Sequence, residues 1–268
     1  MLTWRFSRQD GLWARSVQKC AVLALLVHVH VLGLLHPHAA QVWPDAAVTP
    51  VEARPGEHYG ERRFAVRVDG LPKREYAGTL EVSAKDGELE FIDVVELEDY
   101  VASVVGSELG AGAGQAARDA LGVVARTYAL LHRDALCDTT HCQLYLGAAR
   151  RVRVLLREAL VTMSGRLAPA LHFAACGGRT ANAADVWPLA GEDDREAGIA
   201  VADGCLAGGT TTELPAGGRS KDGRILRGRG RGHGVGLCQE GAARLASRGL
   251  SPHQILSLYF PRLRPLAF

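Results

Sequence analysis

The hydrophobic pattern of this sequence changes its period close to residue 96, and this change limits the folds that the chain can adopt. Upstream, apolar and polar residues alternate, so that Phe64, Val66 and Val68 lie on one face of a strand. From Leu97 onwards, apolar residues recur with the 3.6-residue period of an amphipathic helix. Strands and helices mix without βαβ alternation. The pattern predicts an α+β fold, with mixed helices and short antiparallel strands around one core and a small N-terminal β-meander.

The individual elements follow from the same periods. Asp86-Gly87 predicts a tight turn between an alternating segment at 76–82 and another at 89–95. The 3.6-residue period predicts helices over about 97–109, 115–133, 151–161, 238–249 and 252–260.

The N-terminal segment has the composition of an export signal. Basic residues precede an uncharged apolar run over residues 20–35, and the small residues Ala39 and Ala40 follow it. The run of 16 residues is slightly short for a membrane-spanning helix, which leaves a cleaved signal peptide and a retained signal anchor as alternatives. In either case we expect export to the periplasm or cell envelope, with membrane contact through this segment alone.

Composition divides the rest of the chain. Residues 41–60 are rich in Pro, Ala and Glu and show weak periodicity, as a linker does. The predicted division is a signal peptide or signal anchor at 1–40, a linker at 41–60 and a folded domain at 61–268, whose β-meander spans about 61–96 and whose mixed helical core spans about 97–268.

Charge and cysteine content exclude two classes of protein. The chain has 31 Lys and Arg against 29 Asp and Glu, a net charge of +2, whereas nucleic-acid-binding proteins usually have a strong basic excess. We therefore expect no nucleic-acid partner. Six cysteines in 268 residues do not make a small disulfide scaffold. Removal of a leader containing Cys20 would leave an odd number, so at least one thiol would stay free or bind a metal or a partner.

Glu108 occupies an unusual position for an acidic residue. On a helical wheel it falls about 20° from Leu97, in the middle of the apolar stripe, and it lies in the last turn of the predicted helix. A carboxyl group that is shielded from water and close to the negative end of a helix dipole tends to keep its proton, as a general acid must. The alternatives are a helix that ends earlier, so that the side chain reaches water, or a buried salt bridge to Arg118 or Arg126.

The segment Cys137–Cys142 (CDTTHC) brings two thiols and an imidazole within six residues. Cys137, His141 and Cys142 could supply three ligands to a zinc ion and leave one position open. A disulfide between the two cysteines and two unmodified thiols are the other interpretations. We expect no required cofactor, with zinc as an allowed one.

Two glycine-rich segments are candidate loops. Gly230–Gly236 exposes backbone around His233, and the arginines at 227, 229 and 231 alternate with glycine, so they could meet an anionic ligand. The segment lacks the Gly-Lys-Ser/Thr of a phosphate-binding loop. Gly112–Ala117 fits a loose dinucleotide-binding pattern, but a helix precedes it where that fold requires a strand.

Taken together, these segments resemble the SpoIID/LytB family. The resemblance covers about residues 90–268 and follows the family's order. Its blocks are Val105–Leu109 (VGSEL), Ala125–Ala129 (ARTYA), Cys137–Tyr145, the strand that ends in Cys176-Gly177-Gly178, Gly232–Ala242 and Ile255–Phe260. The sequence departs from the family at Cys176 and Cys238, where the family often has serine.

The resemblance implies a peptidoglycan-active protein outside the cytoplasm. Its catalytic glutamate corresponds to Glu108, and some relatives bind zinc through residues that resemble Cys137, His141 and Cys142. The implied reaction is that of a lytic transglycosylase, which cuts the bond between N-acetylmuramic acid and N-acetylglucosamine and leaves 1,6-anhydro ends. Glycan strands without stem peptides are the expected substrate and partner. The residues expected to contact the glycan are Arg126, Gln143, Tyr145, Cys176, Gly177, Arg231, His233 and Gln239.

Two other functions fit the same residues. A non-catalytic module could bind glycan and enhance a cell-wall amidase, as the amidase-enhancer branch of the family is described to do. A zinc-dependent hydrolase could use the Cys137–Cys142 segment.

Overall fold

The computed structural model describes residues 25–35, 37–45, 47–110, 112–186, 200–203, 205, 211–213 and 227–267. The strands are β1 (Leu26–Val31), β2 (Ala40–Pro44), β3 (Val51–Glu52), β4 (His58–Tyr59), β5 (Arg63–Val68), β6 (Arg74–Ala77), β7 (Thr79–Lys85), β8 (Glu88–Glu96), β9 (Leu136–Cys137), β10 (Glu158–Val161), β11 (His172–Phe173), β12 (Thr211–Glu213), β13 (Arg227–Arg229), β14 (Leu237–Cys238) and β15 (Arg264–Ala267). The helices are α1 (Leu97–Glu108), α2 (Gln115–Leu131), α3 (Ala183–Val186), α4 (Gln239–Ser247) and α5 (Pro252–Tyr259).

Two sheets form the N-terminal part of the fold. One has five strands in the order β4-β7-β8-β1-β9, and the other has four in the order β3-β2-β5-β6. The hairpin of β7 and β8 closes through Asp86 and Gly87, which both have positive φ, as the sequence predicts for a tight turn. Mostly antiparallel strands and separate helices confirm the α+β fold class.

The structure differs from the predicted domain division at its N-terminal end. Residues 26–31 form strand β1, which lies between β8 and β9 inside the five-stranded sheet. Val27, Val29 and Val31 are fully buried in the core, while Leu26 is 47% exposed. Alternation of valine with histidine in LVHVHV is a strand pattern, which the absence of charge in residues 20–35 conceals. Residues 20–24 of that run lie outside the described residues.

The segment at 41–60, predicted to be a linker, also belongs to the fold. It contains most of β2 and all of β3 and β4, and β2 pairs with β5 over five residues. The fold therefore includes residues from β1 onwards, before the predicted domain start at residue 61. Among the described residues, no helix combines the length and apolarity needed to cross a membrane.

Helix α1 packs against β1 and β8 of the five-stranded sheet and against α2, and α2 packs in turn against α4 and α5. Helix α5 begins with a capping box, in which Ser251 and Gln254 satisfy each other's backbone N–H groups. Residues 151–157, predicted to be helical, run extended instead and lead into β10. Their exposure alternates from one residue to the next, which is the two-residue period of an extended chain.

Candidate active site

The carboxyl group of Glu108 lies at the C-terminal end of helix α1 and is half-buried. Its Oε1 accepts a hydrogen bond from the backbone N–H of Leu144 (3.0 Å), and its Oε2 accepts one from the side-chain amide of Gln239 (2.8 Å). Glu108 therefore neither forms the buried salt bridge considered from the sequence nor extends freely into water. Two donors from distant parts of the chain hold its orientation.

The segment that supplies the Leu144 N–H is attached along helix α1. Ser103 donates to the carbonyl of Gly147 (2.7 Å), and Ser107 accepts from the N–H of Leu146 (3.3 Å). At Gly106 a Cβ atom would overlap the carbonyl oxygen of Arg150, so only glycine lets the segment cross the helix this closely. The Val-Gly-Ser-Glu sequence thus fixes both the carboxyl group and the chain that binds it.

Gln239 reaches Glu108 because strands β11 and β14 pair in parallel. This pairing sets Phe173 opposite Cys238, immediately before Gln239 at the start of α4. Gln239 is 6% exposed, and its amide nitrogen lies 3.1 Å from Nδ1 of His172 as well as 2.8 Å from Glu108. The amide therefore bridges a carboxylate and an imidazole.

His172 is a member of this site that the sequence analysis did not identify. Burial lowers the pKa of its imidazole, and the negative charge of Glu108 opposes that shift. A lowered pKa keeps the ring neutral near pH 7, and Nδ1 can then accept from Gln239. The available signal was its position on the short apolar strand that leads to Cys176-Gly177-Gly178.

His233 supports this strand. Its Nε2 donates to the backbone carbonyl of His172 (3.0 Å), and its Nδ1 accepts from the N–H of Val235 (3.2 Å). Burial and the neighbouring His172 lower the pKa of His233 to about 4. The described contacts therefore make His233 a neutral residue that positions His172, whereas the sequence placed it at the glycan.

The structure corrects the expected role of Arg126. The side chain is 1% exposed, and its guanidinium group forms a bidentate ion pair with Glu98 at 2.7 Å for both contacts. Its remaining donors bind the carbonyls of Gly122 and Glu158. Arg126 ties α2 to α1 and β10, and it has no face open to a glycan.

Tyr145 and Gln143 also lie deeper than expected. Tyr145 is 1% exposed and donates its hydroxyl to Asp93 (2.7 Å), whose pKa burial raises. Gln143 is 1% exposed, accepts from Tyr100 (3.2 Å) and approaches His172 Nε2 at 3.4 Å. Tyr145 is therefore part of the core, and Gln143 lies beneath His172, away from solvent.

The remaining predicted contacts are divided between the surface and the interior. Arg231 is exposed and pairs with Glu240. Gly177 is half-buried in a turn with φ of +66°, and Cys176 is 8% exposed. At positions 227 and 229 the structure describes only the backbone of strand β13. The predicted contact of these two arginines with an anionic ligand therefore concerns side chains that lie outside the described part of the chain.

The surface sulfur loop, which we define as Cys137, His141 and Cys142, contains a disulfide between its two cysteines. His141 Nδ1 lies 3.7 Å from Cys137 Sγ and 3.8 Å from Cys142 Sγ. Zinc binds cysteine as a thiolate, which a disulfide does not supply. The donor set present here does not fit a zinc ion, although its atoms are close enough together for one once the bond is reduced.

The glycine-rich loop that follows Glu108 and α1 is open at Gly110 and Gly112. A Cβ atom built on Gly110 or Gly112 would meet no described atom within 4 Å. Two surface cavities occur elsewhere, one lined by Leu32 and Arg74 among others and one by His30 and Phe91 among others. Glu108 does not line either of these two cavities.

Comparison with known families agrees with the earlier resemblance. Residues 85–166 match the SpoIID family model, described as stage II sporulation protein. The match includes Glu108 and the surface sulfur loop, while Cys176, His233 and Gln239 lie beyond its end. No curated protein matches the sequence significantly. The match over residues 85–166 is consistent with the SpoIID/LytB family, and this relationship suggests a role connected with the cell wall.

Proposed function

We propose that this protein is a peptidoglycan lytic transglycosylase in which Glu108 is the general acid and base. The observation that carries the proposal is the Glu108 carboxyl group, which two donors hold in place beside the open glycine-rich loop within the SpoIID-matching segment. The proposed substrate is a glycan strand without stem peptides, outside the cytoplasm.

A single carboxyl group suffices for this reaction, whereas hydrolytic glycosidases usually need two. Glu108 first gives its proton to the glycosidic oxygen, and the bond between that oxygen and C1 of N-acetylmuramic acid breaks. The C6 hydroxyl of the same sugar then attacks C1 and returns its proton to Glu108. The products are a 1,6-anhydro end and a free 4-hydroxyl group, and no water is consumed.

Gln239 is suited to hydrogen-bond an acid that changes its protonation state. Its amide now donates to Glu108 Oε2 and lies beside His172. A side-chain amide carries both a donor and an acceptor, so rotation of Gln239 about its terminal bond would offer an oxygen to the protonated acid. The same residue can therefore hydrogen-bond the carboxyl group before and after each proton transfer.

The exposed Arg231 is a candidate contact for the substrate's charge. Stripped glycan strands keep the lactyl carboxylates of N-acetylmuramic acid, and Arg231 lies on the surface in a pair with Glu240. An exposed pair of this kind contributes little to stability, so exchanging Glu240 for a substrate carboxylate would cost little.

The decisive experiment compares Glu108→Gln with wild-type protein on denuded glycan strands, with mass detection of anhydro ends. We expect at least about a 100-fold loss of anhydro product, because proton transfer by a positioned side chain contributes about that much or more. Glu96→Gln is the matched control, since Glu96 is an exposed glutamate at the other end of the same helix and makes no side-chain cap contact.

Two outcomes would overturn the proposal. Undiminished anhydro product from Glu108→Gln would remove Glu108 from the reaction. Glycan binding by the wild-type protein without any anhydro product, combined with stimulation of a cell-wall amidase that survives Glu108→Gln, would establish a non-catalytic enhancer instead.

A further inference from the structure

A group of three sulfur atoms lies inside the protein, apart from the surface sulfur loop. The buried sulfur cluster consists of Cys176, Cys205 and Cys238, whose Sγ atoms all lie within 4.8 Å of one another. The three residues are 8%, 2% and 0% exposed, and none takes part in a disulfide. They come from three distant segments of the chain, so tertiary packing alone brings them together.

Backbone N–H groups point at two of these sulfur atoms. Cys238 Sγ accepts from the N–H groups of Cys176 (3.3 Å) and Gly241 (3.2 Å), and Cys176 Sγ accepts from that of Gly178 (3.3 Å). Cys238 is also the N-cap of helix α4, where the helix dipole favours a thiolate. Donors of this kind stabilise sulfur that carries negative charge, and they orient a metal ligand from outside its coordination shell.

Asp203 connects Cys205 to Cys176. It is 4% exposed, and it accepts hydrogen bonds from Tyr259 (2.6 Å), the N–H of Cys205 (2.8 Å) and the thiol of Cys176 (3.0 Å). A Cβ atom at Gly241 would overlap both Asp203 and the Tyr259 hydroxyl. The cluster therefore sits in a closely packed polar setting in which each partner restricts the others.

We propose that the buried sulfur cluster is a structural zinc site with Cys176, Cys205 and Cys238 as thiolate ligands. Tetrahedral zinc with Zn–S bonds of about 2.3 Å places its sulfur ligands about 3.8 Å apart, so the observed group needs little contraction. The Asp203 carboxylate, 3.0 Å from Cys176 Sγ, and the Glu240 carboxylate, 3.9 Å from Cys205 Sγ, are the described candidates for the fourth position. Binding exchanges three thiol protons for the cation, whose double positive charge offsets part of the negative charge of the thiolates and Asp203.

A disulfide explains the cluster less well than a metal does. A bond between any two of the sulfur atoms would leave the third thiol buried, and it would not account for the three N–H donors. Zinc uses all three sulfur atoms and the donors together. Because Cys238 directly precedes Gln239, the ion would also fix the start of α4 and with it the amide that contacts Glu108.

The test measures zinc content of the full chain by mass spectrometry of the metal, after purification under reducing conditions without chelators. We expect about one zinc ion per chain in the wild type and in the double variant Cys137→Ser/Cys142→Ser, which removes the thiols of the surface sulfur loop. We expect its loss in Cys205→Ser and in Cys176→Ser/Cys238→Ser. Serine at 176 and 238 is common in the related family, which makes the second variant suited to folding.

Cobalt substitution gives a readout that does not depend on the folding of these variants. Cobalt bound to the wild type and to Cys137→Ser/Cys142→Ser should show equal sulfur-to-cobalt charge-transfer absorption, whose intensity follows the number of thiolate ligands. Three results would each overturn the proposal: zinc lost in the surface-loop variant, no zinc or cobalt bound by the reduced wild type, or a disulfide within the buried cluster of the native protein. The zinc measurement is independent of glycan cleavage, so it stands or fails apart from the proposed activity.

Discussion

The two sulfur groups of this protein have similar donor atoms but different surroundings. In each group three potential ligand atoms lie within 4.8 Å of one another. The three residues of the surface sulfur loop lie within six consecutive positions of the sequence, its histidine is exposed, and its cysteines form a disulfide. The buried sulfur cluster joins residues as far apart as 176 and 238, and its thiols are free.

This difference shows that spacing in the sequence is a poor guide to the chemistry of cysteine. The loop has the compact spacing that suggests a metal site, yet its two sulfur atoms bond to each other. The cluster has no recognisable spacing, yet packing supplies it with N–H donors, burial and a neighbouring carboxylate. Surroundings decide whether a thiol oxidises, binds a metal or remains unreactive.

The largest expected difference between the two groups is in their reaction with an alkylating reagent. After mild reduction, Cys137 and Cys142 should be labelled at least about 1,000-fold faster than the buried cluster, since the core opens only at a cost near that of global unfolding. Peptide mass spectrometry in time course measures both rates in one sample. Labelling of Cys238 at the rate of Cys137 would contradict the burial described here.

Gly241→Ala is expected to disturb the buried cluster alone. The added Cβ atom would overlap Asp203 and Tyr259, and overpacking of this kind lowers the free energy of unfolding by about 3 kcal/mol. Gly112→Ala is the control, since it meets no described atom, and its change should stay within about 0.5 kcal/mol. Urea denaturation measures both, and equal midpoints for the two variants would show that the cluster tolerates a shift.

Acid is expected to weaken the part of the fold next to the buried cluster. The folded-state pKa of His233 is about 4, below the value of about 6.5 in an unfolded chain, so the unfolded state binds more protons between these values. Stability is therefore lost as pH falls through this window, by about 2 kcal/mol between pH 7 and pH 5. Urea denaturation at both pH values should show a smaller loss for His233→Gln, which keeps a donor toward the His172 carbonyl, and an equal loss would exclude His233 as the cause.

The strands and helices show how far a hydrophobic period can be trusted. The switch at residue 96 correctly separates β8 from α1, because each period records which face of an element is buried. The same reasoning missed strand β1, because the composition of its residues conceals their alternation. Histidines between the valines of β1 leave the run uncharged, so its composition predicts an export segment although the residues alternate as in a strand.

The candidate site shows a similar division. The wheel placed Glu108 at the end of a helix, and the structure finds it there with a half-buried carboxyl group. The same reasoning could not assign partners, because Arg126 pairs with Glu98 across two helices and Tyr145 turns into the core toward Asp93. His172 was missed because its one local signal, a position on the short strand that leads to Cys176-Gly177-Gly178, does not say which residues it contacts.

The order of residues is enough to predict the α+β class, the helix that ends at Glu108 and the family to which the segment around it is related. Those features depend on residues close together in the chain, so the spacing of apolar and polar residues reveals them. The folded protein was needed to show that Gln239, 131 residues away, contacts Glu108 and that three separate cysteines meet in the interior. Such contacts depend on how whole elements pack. Burial of apolar surface drives that packing, and because this driving force is non-directional it does not specify which residues will meet.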